Sequence, residues 1–354
     1  MTTPDRHSGG APVDTARATA GGRVEVRVGT ERFRLTPDAA AFLHASAAES
    51  TKRAYAGDFA HFLAWCRREQ RRGIPAAPED IANYLAELAT GGEGDGVHAK
   101  ATATIKRRVA AIRLAHKAAG HVDPTGHVVV ERTLAGIVRT LGSHQGRAQP
   151  LTKDLLVRTV RALDGGGLGA LRDRTVLLVG FAGAFRRSEL VAIQAGDVTF
   201  SDAGVLIHLR RSKTDQQGRG RDKAIPRLAG PRLLCPARSL ADWRDRSSIT
   251  TGPLFRGLTR AGDVRATALH PGEVGRIVKR AVASVGIDPA GYSGHSLRAG
   301  FVTTARAEGV PDHLVMAQTG HSDPRSLGIY TRPEDLFVAN PWAWLSWAEP
   351  RPSD

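Results

Sequence analysis

Cysteine is almost missing from this chain. Cys66 and Cys235 are the only two, far apart and in no metal-ligand spacing. That excludes a disulfide framework and predicts free thiols in a reducing compartment. No apolar run reaches the length of a membrane span, and no secretory apolar core stands in the polar N-terminal stretch. A P-loop and a metal-ligand cluster are also lacking, and no internal repeat is visible. Negative charge is in short supply: 35 Asp and Glu face 50 Lys and Arg, a formal net charge of +15 among 354 residues. The sequence pI is near 10.7. This excess favours a polyanionic partner. With no membrane segment to hold it, the chain is expected to be soluble and intracellular, with nucleic acid rather than a membrane as partner.

The length allows two domains. Residues 1–22 are rich in Gly, Ala, Thr and Pro without apolar periodicity, the pattern of a disordered arm. From Arg23 to Leu35 apolar and polar residues alternate, which predicts a strand or hairpin; residues 1–36 are taken together as an N-terminal arm. Helical periodicity begins at Ser50, with Tyr55, Phe59, Phe62, Leu63 and Cys66 on one stripe. Further helices follow Pro78 (Ile81, Tyr84, Leu85, Leu88), cover Ile105, Val109 and Ile112, and carry Leu134, Ile137, Val138 and Leu141. Residues 37–142 therefore form a helical module. Its basic side carries Lys100, Lys106, Arg107, Arg108 and Arg113, the candidate DNA-binding residues. The polar, glycine-containing stretch 143–150 reads as a linker. A second, mostly helical domain spans 151–335, with short strands near 198–200, 205–209 and 223–226. Residues 336–354 form a tail holding three of the five tryptophans, Trp342, Trp344 and Trp347, a candidate docking element between protomers or, equally, a segment packed on its own domain.

The second domain carries an ordered set of side chains. Phe185-Arg186-Arg187-Ser188-Glu189-Leu190 ends an apolar run that predicts a buried helix, on which Arg186 and Glu189, three apart, share a face. Gly294-His295-Ser296-Leu297-Arg298 opens another predicted helix, capped by Ser293 or Ser296, whose N-terminus offers positive potential and free N–H groups to a phosphate. Gly320-His321-Ser322 reads as a glycine C-cap followed by a histidine, and Tyr330 follows nine residues later. Lys213 lies in a polar turn joining two β runs. Alone, each fits a commoner role: a structural ion pair, a surface His–Arg pair, a helix end, a hairpin charge. Together they supply one chemistry, attack of a tyrosine hydroxyl on a phosphodiester.

The segment 151–332 resembles the catalytic domain of the tyrosine recombinases, the phage integrase family, and the chain from about residue 40 onward is similar to that family's two-domain plan. The resemblance implies a fold that is mainly α with a small antiparallel β-sheet: a two-domain, C-shaped clamp with a helical core-binding domain and an integrase-type catalytic domain. Arg186 matches the first arginine of an Arg-x-Ser-Glu-Leu box, Glu189 an accessory acid, Lys213 the hairpin lysine, His295 and Arg298 the His-x-x-Arg box, His321 the Gly-His-Ser histidine and Tyr330 the nucleophile. Gly183-Ala184-Phe185 stands where the family often has Thr-Gly-Leu, and Thr319 where it often has Leu.

A tyrosine of ordinary pKa near 10 is ionised in roughly one molecule per thousand at neutral pH, so attack needs a base or nearby positive charge. His295 is the candidate base. Arg186 and Arg298 would hold the non-bridging oxygens, with His321 donating another hydrogen bond. Lys213 would protonate the leaving 5′ oxygen. The arginines take the part a metal ion plays elsewhere, so no metal is required, and exchange of a phosphodiester for a phosphotyrosine ester nearly conserves bond energy, so ATP is not required either. The resemblance implies double-stranded DNA as partner, no cofactor or membrane, a cytoplasmic, nucleoid-associated setting, a 3′-phosphotyrosyl intermediate, four protomers on two DNA sites (monomers or weak oligomers when free) and a Holliday junction; whether an accessory directionality factor takes part is left open. Type IB topoisomerase-like relaxation and a catalytically inactive integrase-fold regulator are the rival readings. Integration, resolution and transposon mobility all fit.

Overall fold

Two separate apolar cores form along the chain, and they divide it between Gly146 and Arg147. The structure is a computed structural model that describes residues 17–18, 24–28, 31–45, 49–91, 99–142, 148–210, 220–321 and 323.

The first unit opens with a three-stranded antiparallel sheet, β1 (Arg17–Ala18), β2 (Val24–Val28) and β3 (Glu31–Leu35), in that order. Within the alternating stretch, Val24–Val28 thus pairs antiparallel with Glu31–Leu35. Arg17 and Ala18 add a strand inside the stretch expected to be disordered. Helices α1 (Pro37–Ala45), α2 (Glu49–Arg68), α3 (Pro78–Thr90), α4 (Thr102–Ala118) and α5 (Val128–Leu141) follow. Their apolar stripes meet around Phe62, Trp65, Ile81, Tyr84, Leu85, Ile105 and Ile112. Phe62 stacks on Trp65 at 6.2 Å and meets Tyr84 edge-on at 5.1 Å. Each such fully buried side chain contributes about 1.5–3 kcal/mol.

The second unit contains α6 (Lys153–Ala162), α7 (Leu168–Ala182) and α8 (Arg187–Ala192). A sheet of β4 (Val198–Phe200), β5 (Gly204–Leu209) and β6 (Arg221–Pro226) comes next, antiparallel in sequence order. Then come α9 (Pro236–Ser247), a hairpin of β7 (Arg256–Leu258) and β8 (Val264–Ala268), α10 (Pro271–Ala283), α11 (Ser296–Ala307) and α12 (Asp312–Thr319). The β7–β8 hairpin was not expected from the sequence.

Helix α7 is the central element of this unit, apolar on nearly every face, as a helix enclosed by others must be. Its Thr175 Oγ1 meets Ser239 Oγ of α9 at 2.8 Å, so the buried hydroxyl is satisfied. Trp243 is fully buried and donates Nε1–H to Leu254 O at 2.9 Å. Helix α11 runs close to the start of the unit: Leu151 N–H donates to Ser296 O at 2.9 Å, and a Cβ on Gly300 would lie 1.9 Å from Leu151 O. Only glycine permits that approach. Val302 and Ala305 of α11 pack on Val315 of α12, which fixes the helix that delivers Gly320 and His321.

Candidate active site

Helix α7 stops at Ala182 because the next residues leave helical geometry. Ala184 is fully buried and adopts the left-handed conformation at φ 46°, at a cost of order 1–2 kcal/mol for an L-residue. The strained turn is held on both sides. Its N–H groups are used locally: Gly183 to Val179 O, Ala184 to Phe181 O and Phe185 to Gly180 O, at 2.9–3.1 Å. Its three consecutive carbonyls accept from three other elements. Gln318 of α12 donates to Ala182 O at 2.8 Å, Lys223 of β6 donates to Gly183 O, and Arg298 of α11 donates to Ala184 O at 2.9 Å.

The turn sets Arg186. The sequence reading put Arg186 and Glu189 on one helix; instead Arg186 is the N-cap of α8, with extended backbone at φ −69°, ψ 147°. Glu189 reaches back and accepts twice, from Arg186 N–H at 2.9 Å and from its Nη1 at 2.6 Å. This is capping-box geometry with a charge-assisted bond added. Glu189 is buried and Arg186 half-buried, so the arginine side chain stays partly open to solvent. The neighbouring Arg187 is exposed.

Arg298, two residues inside α11, is 1% exposed. Its Nη1 donates to Ala184 O and to Thr319 O at 2.7 Å, and its Nη2 faces His321 Nε2 at 2.8 Å. The last contact assigns a tautomer. A guanidinium only donates, so Nε2 accepts and the ring proton sits on Nδ1. Nδ1–H donates to Thr319 Oγ1 at 3.0 Å, and Thr319 Oγ1–H donates to Val315 O at 2.8 Å. Gly320, at φ 77°, closes α12 as the left-handed C-cap expected from the sequence and turns His321 toward Arg298.

His295 caps α11 at its N-terminus, its N–H donating to Ser293 Oγ at 3.2 Å. The sequence-predicted caps play other parts: Ser296 Oγ accepts from Ser293 N–H at 2.9 Å.

The pocket is electropositive, and its bases show it. Burial, then Arg298 and Arg186, pushes His321 down to about 4. His295 keeps an exposed edge, yet surrounding protein, then Arg298, Arg186 and Arg187, holds it below the ordinary imidazole value. Lys223 reads in the sequence as one more solvated hairpin charge; the structure buries it. It is 2% exposed, with Nζ 4.6 Å over the Phe185 ring. Burial brings its pKa down to about 7; Glu189 pulls upward, while Arg298, Arg221 and Arg186 push further down.

Four of the six candidate catalytic residues, Arg186, His295, Arg298 and His321, with accessory Glu189, thus gather around the Ala184 turn. Lys213, Tyr330 and the Trp342–Trp347 segment lie outside the described residues.

The candidate DNA-binding residues separate. Lys106, Arg107 and Arg113 are exposed and Lys100 is half-buried. Arg113 pairs with Asp123 at 2.9 Å, and Arg107 grips the buried Asp58 at 2.6 and 3.1 Å. Arg108 departs from the expectation of an exposed basic side. It is 8% exposed, donates to Tyr84 OH at 3.0 Å, and lies 3.6 Å from Asp58. Its guanidinium belongs to an internal network with His61 and Tyr84, whose phenol burial pushes up to about 12.

The chain is similar to known proteins over most of its length. Residues 149–336 match the phage integrase family, and residues 41–121 match the phage integrase N-terminal SAM-like domain. The chain is 38% identical over 310 residues to the integrase/recombinase XerD homolog of Selenomonas ruminantium, covering 87% of this chain and 88% of that protein. It is 25% identical over 175 residues to recombinase Cre of Escherichia phage P1, 46% of this chain and 47% of the other. Among solved structures, XerH site-specific recombinase bound to its difH substrate in a post-cleavage complex aligns over 86% of this chain and 83% of that one, with a TM-score of 0.53 and 15% identity. A lambda integrase dimer bound to a COC′ core site aligns over 89% and 98%, with a TM-score of 0.53 and 18% identity. At such identities the likeness is one of fold.

Proposed function

Because the chain belongs to the phage integrase family, the tyrosine recombinases that exchange DNA strands, we propose that it is a site-specific recombinase whose pocket around the Ala184 turn binds one scissile phosphate of duplex DNA. The observation that carries this reading is the Arg186–Arg298 pair, one guanidinium locked by Glu189 and the other by two carbonyls, converging with His295 and His321. Fixed cations aimed at one place lower the cost of charge developing on the non-bridging oxygens.

The step balances simply. The Tyr330 oxygen attacks phosphorus and His295 takes its proton. The bond from phosphorus to the 5′ oxygen breaks, and Lys213 returns a proton to that oxygen. A 3′-phosphotyrosyl ester remains, and attack by a new 5′ hydroxyl reverses the chemistry. Low charge on His295 favours its role as base, since an imidazole already protonated cannot accept.

His321 needs one refinement. In the DNA-free pocket its Nε2 accepts from Arg298, so it has no proton there to offer a phosphate. A bound phosphate engages Arg298 and offsets the positive field that depresses His321, so DNA binding recruits the proton that makes Nε2 a donor.

Duplex DNA is the substrate, gripped also by Lys100, Lys106, Arg107 and Arg113. The active assembly is a tetramer on two sites, acting at the nucleoid. The test is Tyr330→Phe, expected to bind site DNA like the wild type and to trap no covalent complex. A covalent complex persisting in that variant refutes the assignment.

A further inference from the structure

We propose that Lys223 is a positioning residue for phosphodiester cleavage, holding through Gly183 O the left-handed turn that presents Arg186 and anchors Arg298. The inference rests on the functional reading above, and it concerns a lysine distinct from Lys213.

Three observations carry it. Lys223 is 2% exposed, so its ammonium is closed off from solvent. The ammonium is directed at Gly183 O and over the face of Phe185, the residue immediately before Arg186. A carbonyl oxygen and an aromatic face together form a receptor for a cation. The bonded carbonyl is the middle one of three successive acceptors on the strained turn, flanked by those of Gln318 and Arg298. Ala184 lacks the freedom glycine has at positive φ, so the turn depends on these external donors. Without the central one, Phe185 and Arg186 can relax together, and the carbonyl that orients Arg298 moves with them.

The choice of lysine is informative. A methionine of similar length would fill the same space without a desolvation cost but could not donate to Gly183 O. A cation here bears that cost and supplies the donor. The depression of its pKa to about 7 reflects that cost.

The experiment compares wild type with Lys223→Met on site DNA recovered by covalent trapping. It reads thermal melting, DNA affinity, and single-turnover cleavage at saturating DNA across pH. Lys223→Met is expected to fold, with its melt as the control, and to bind DNA equally. It should cleave about 30-fold more slowly, the signature of a group that acts only on the transition state. The wild-type rate declines on the alkaline side as the ammonium loses its proton, and Lys223→Met lacks that limb. Cleavage at the wild-type rate, or a loss of rate matched by an equal loss of affinity, overturns the proposal. If methionine prevents folding, Lys223→Gln is read by the same two criteria. Wild-type protein that forms no covalent adduct sinks the functional reading, and this inference with it; a normal wild type beside an unaffected variant sinks only this inference.

Discussion

Replacing Glu189 with glutamine tests how the pocket is built. The carboxylate accepts from Arg186 N–H at 2.9 Å and Nη1 at 2.6 Å, both inside the protein. An amide has one oxygen, so one of these donors loses its partner and meets an NH2 group. A hydrogen bond to a charged group contributes about 1.5–3 kcal/mol. If that energy holds Arg186 in its productive position, its loss slows cleavage by about 10- to 150-fold at about 1.36 kcal/mol per tenfold. DNA affinity is expected to hold or rise, because the pocket loses a negative charge beside the bound phosphate. Glu189 also favours the charged form of Lys223, so the variant lowers that lysine's pKa further. The assay is single-turnover cleavage of a nicked site at saturating protein, with a melting curve as control. Glu189→Gln cleaving within about threefold of wild type while folding normally would refute the idea that this anchor limits the rate.

The remaining predictions address packing and protons. Gly300→Ala drives a Cβ into Leu151 O, 1.9 Å away, and is expected to cost about 1–3 kcal/mol or more in denaturant melts. Gly57→Ala in α2, with nothing within 4 Å, serves as the control and should be neutral or stabilising. Asp58→Ala strands the buried Arg108 and should destabilise the first unit by about 3–5 kcal/mol; an unchanged melt would mean that the Asp58 network bears no weight. For His321 the folded pKa of about 4 lies below the unfolded value of about 6.5. Its contribution to stability is therefore complete above about 6.5 and lost as pH falls toward 4; His321→Gln should flatten that slope. Binding of site DNA at neutral pH should take up protons on His321, measurable as a dependence of calorimetric binding heat on buffer ionisation enthalpy. Zero uptake contradicts the pKa argument.

Much of this was legible in the sequence, for identifiable reasons. The stripes Phe62–Cys66 and Ile81–Leu88 are local periodicities, and local pattern is what a helix records. Arg186, His295, Arg298 and His321 were legible as an ordered set, because their chemistry makes sense only in combination. What was missed depends on contacts distant in sequence. Lys223 sits among Arg210, Arg219 and Arg221 and reads as one more hairpin charge; it is buried because β6 packs against a turn 40 residues earlier. Arg108 looks like part of a basic surface, and only Tyr84 and Asp58, from α3 and α2, draw it inside. Arg186 reads as sharing a helix face with Glu189 because nothing in Gly183-Ala184-Phe185 advertises that Ala184, not glycine, takes the left-handed position.

The central claim is that Tyr330 attacks the phosphate held by Arg186 and Arg298. Mass mapping of the peptide that carries trapped DNA, with sequencing of the attached strand, measures this directly. The account predicts a single adduct at Tyr330 joined to a 3′ phosphate and absent from Arg298→Ala. An adduct on another residue, or one joined to a 5′ phosphate, would contradict it.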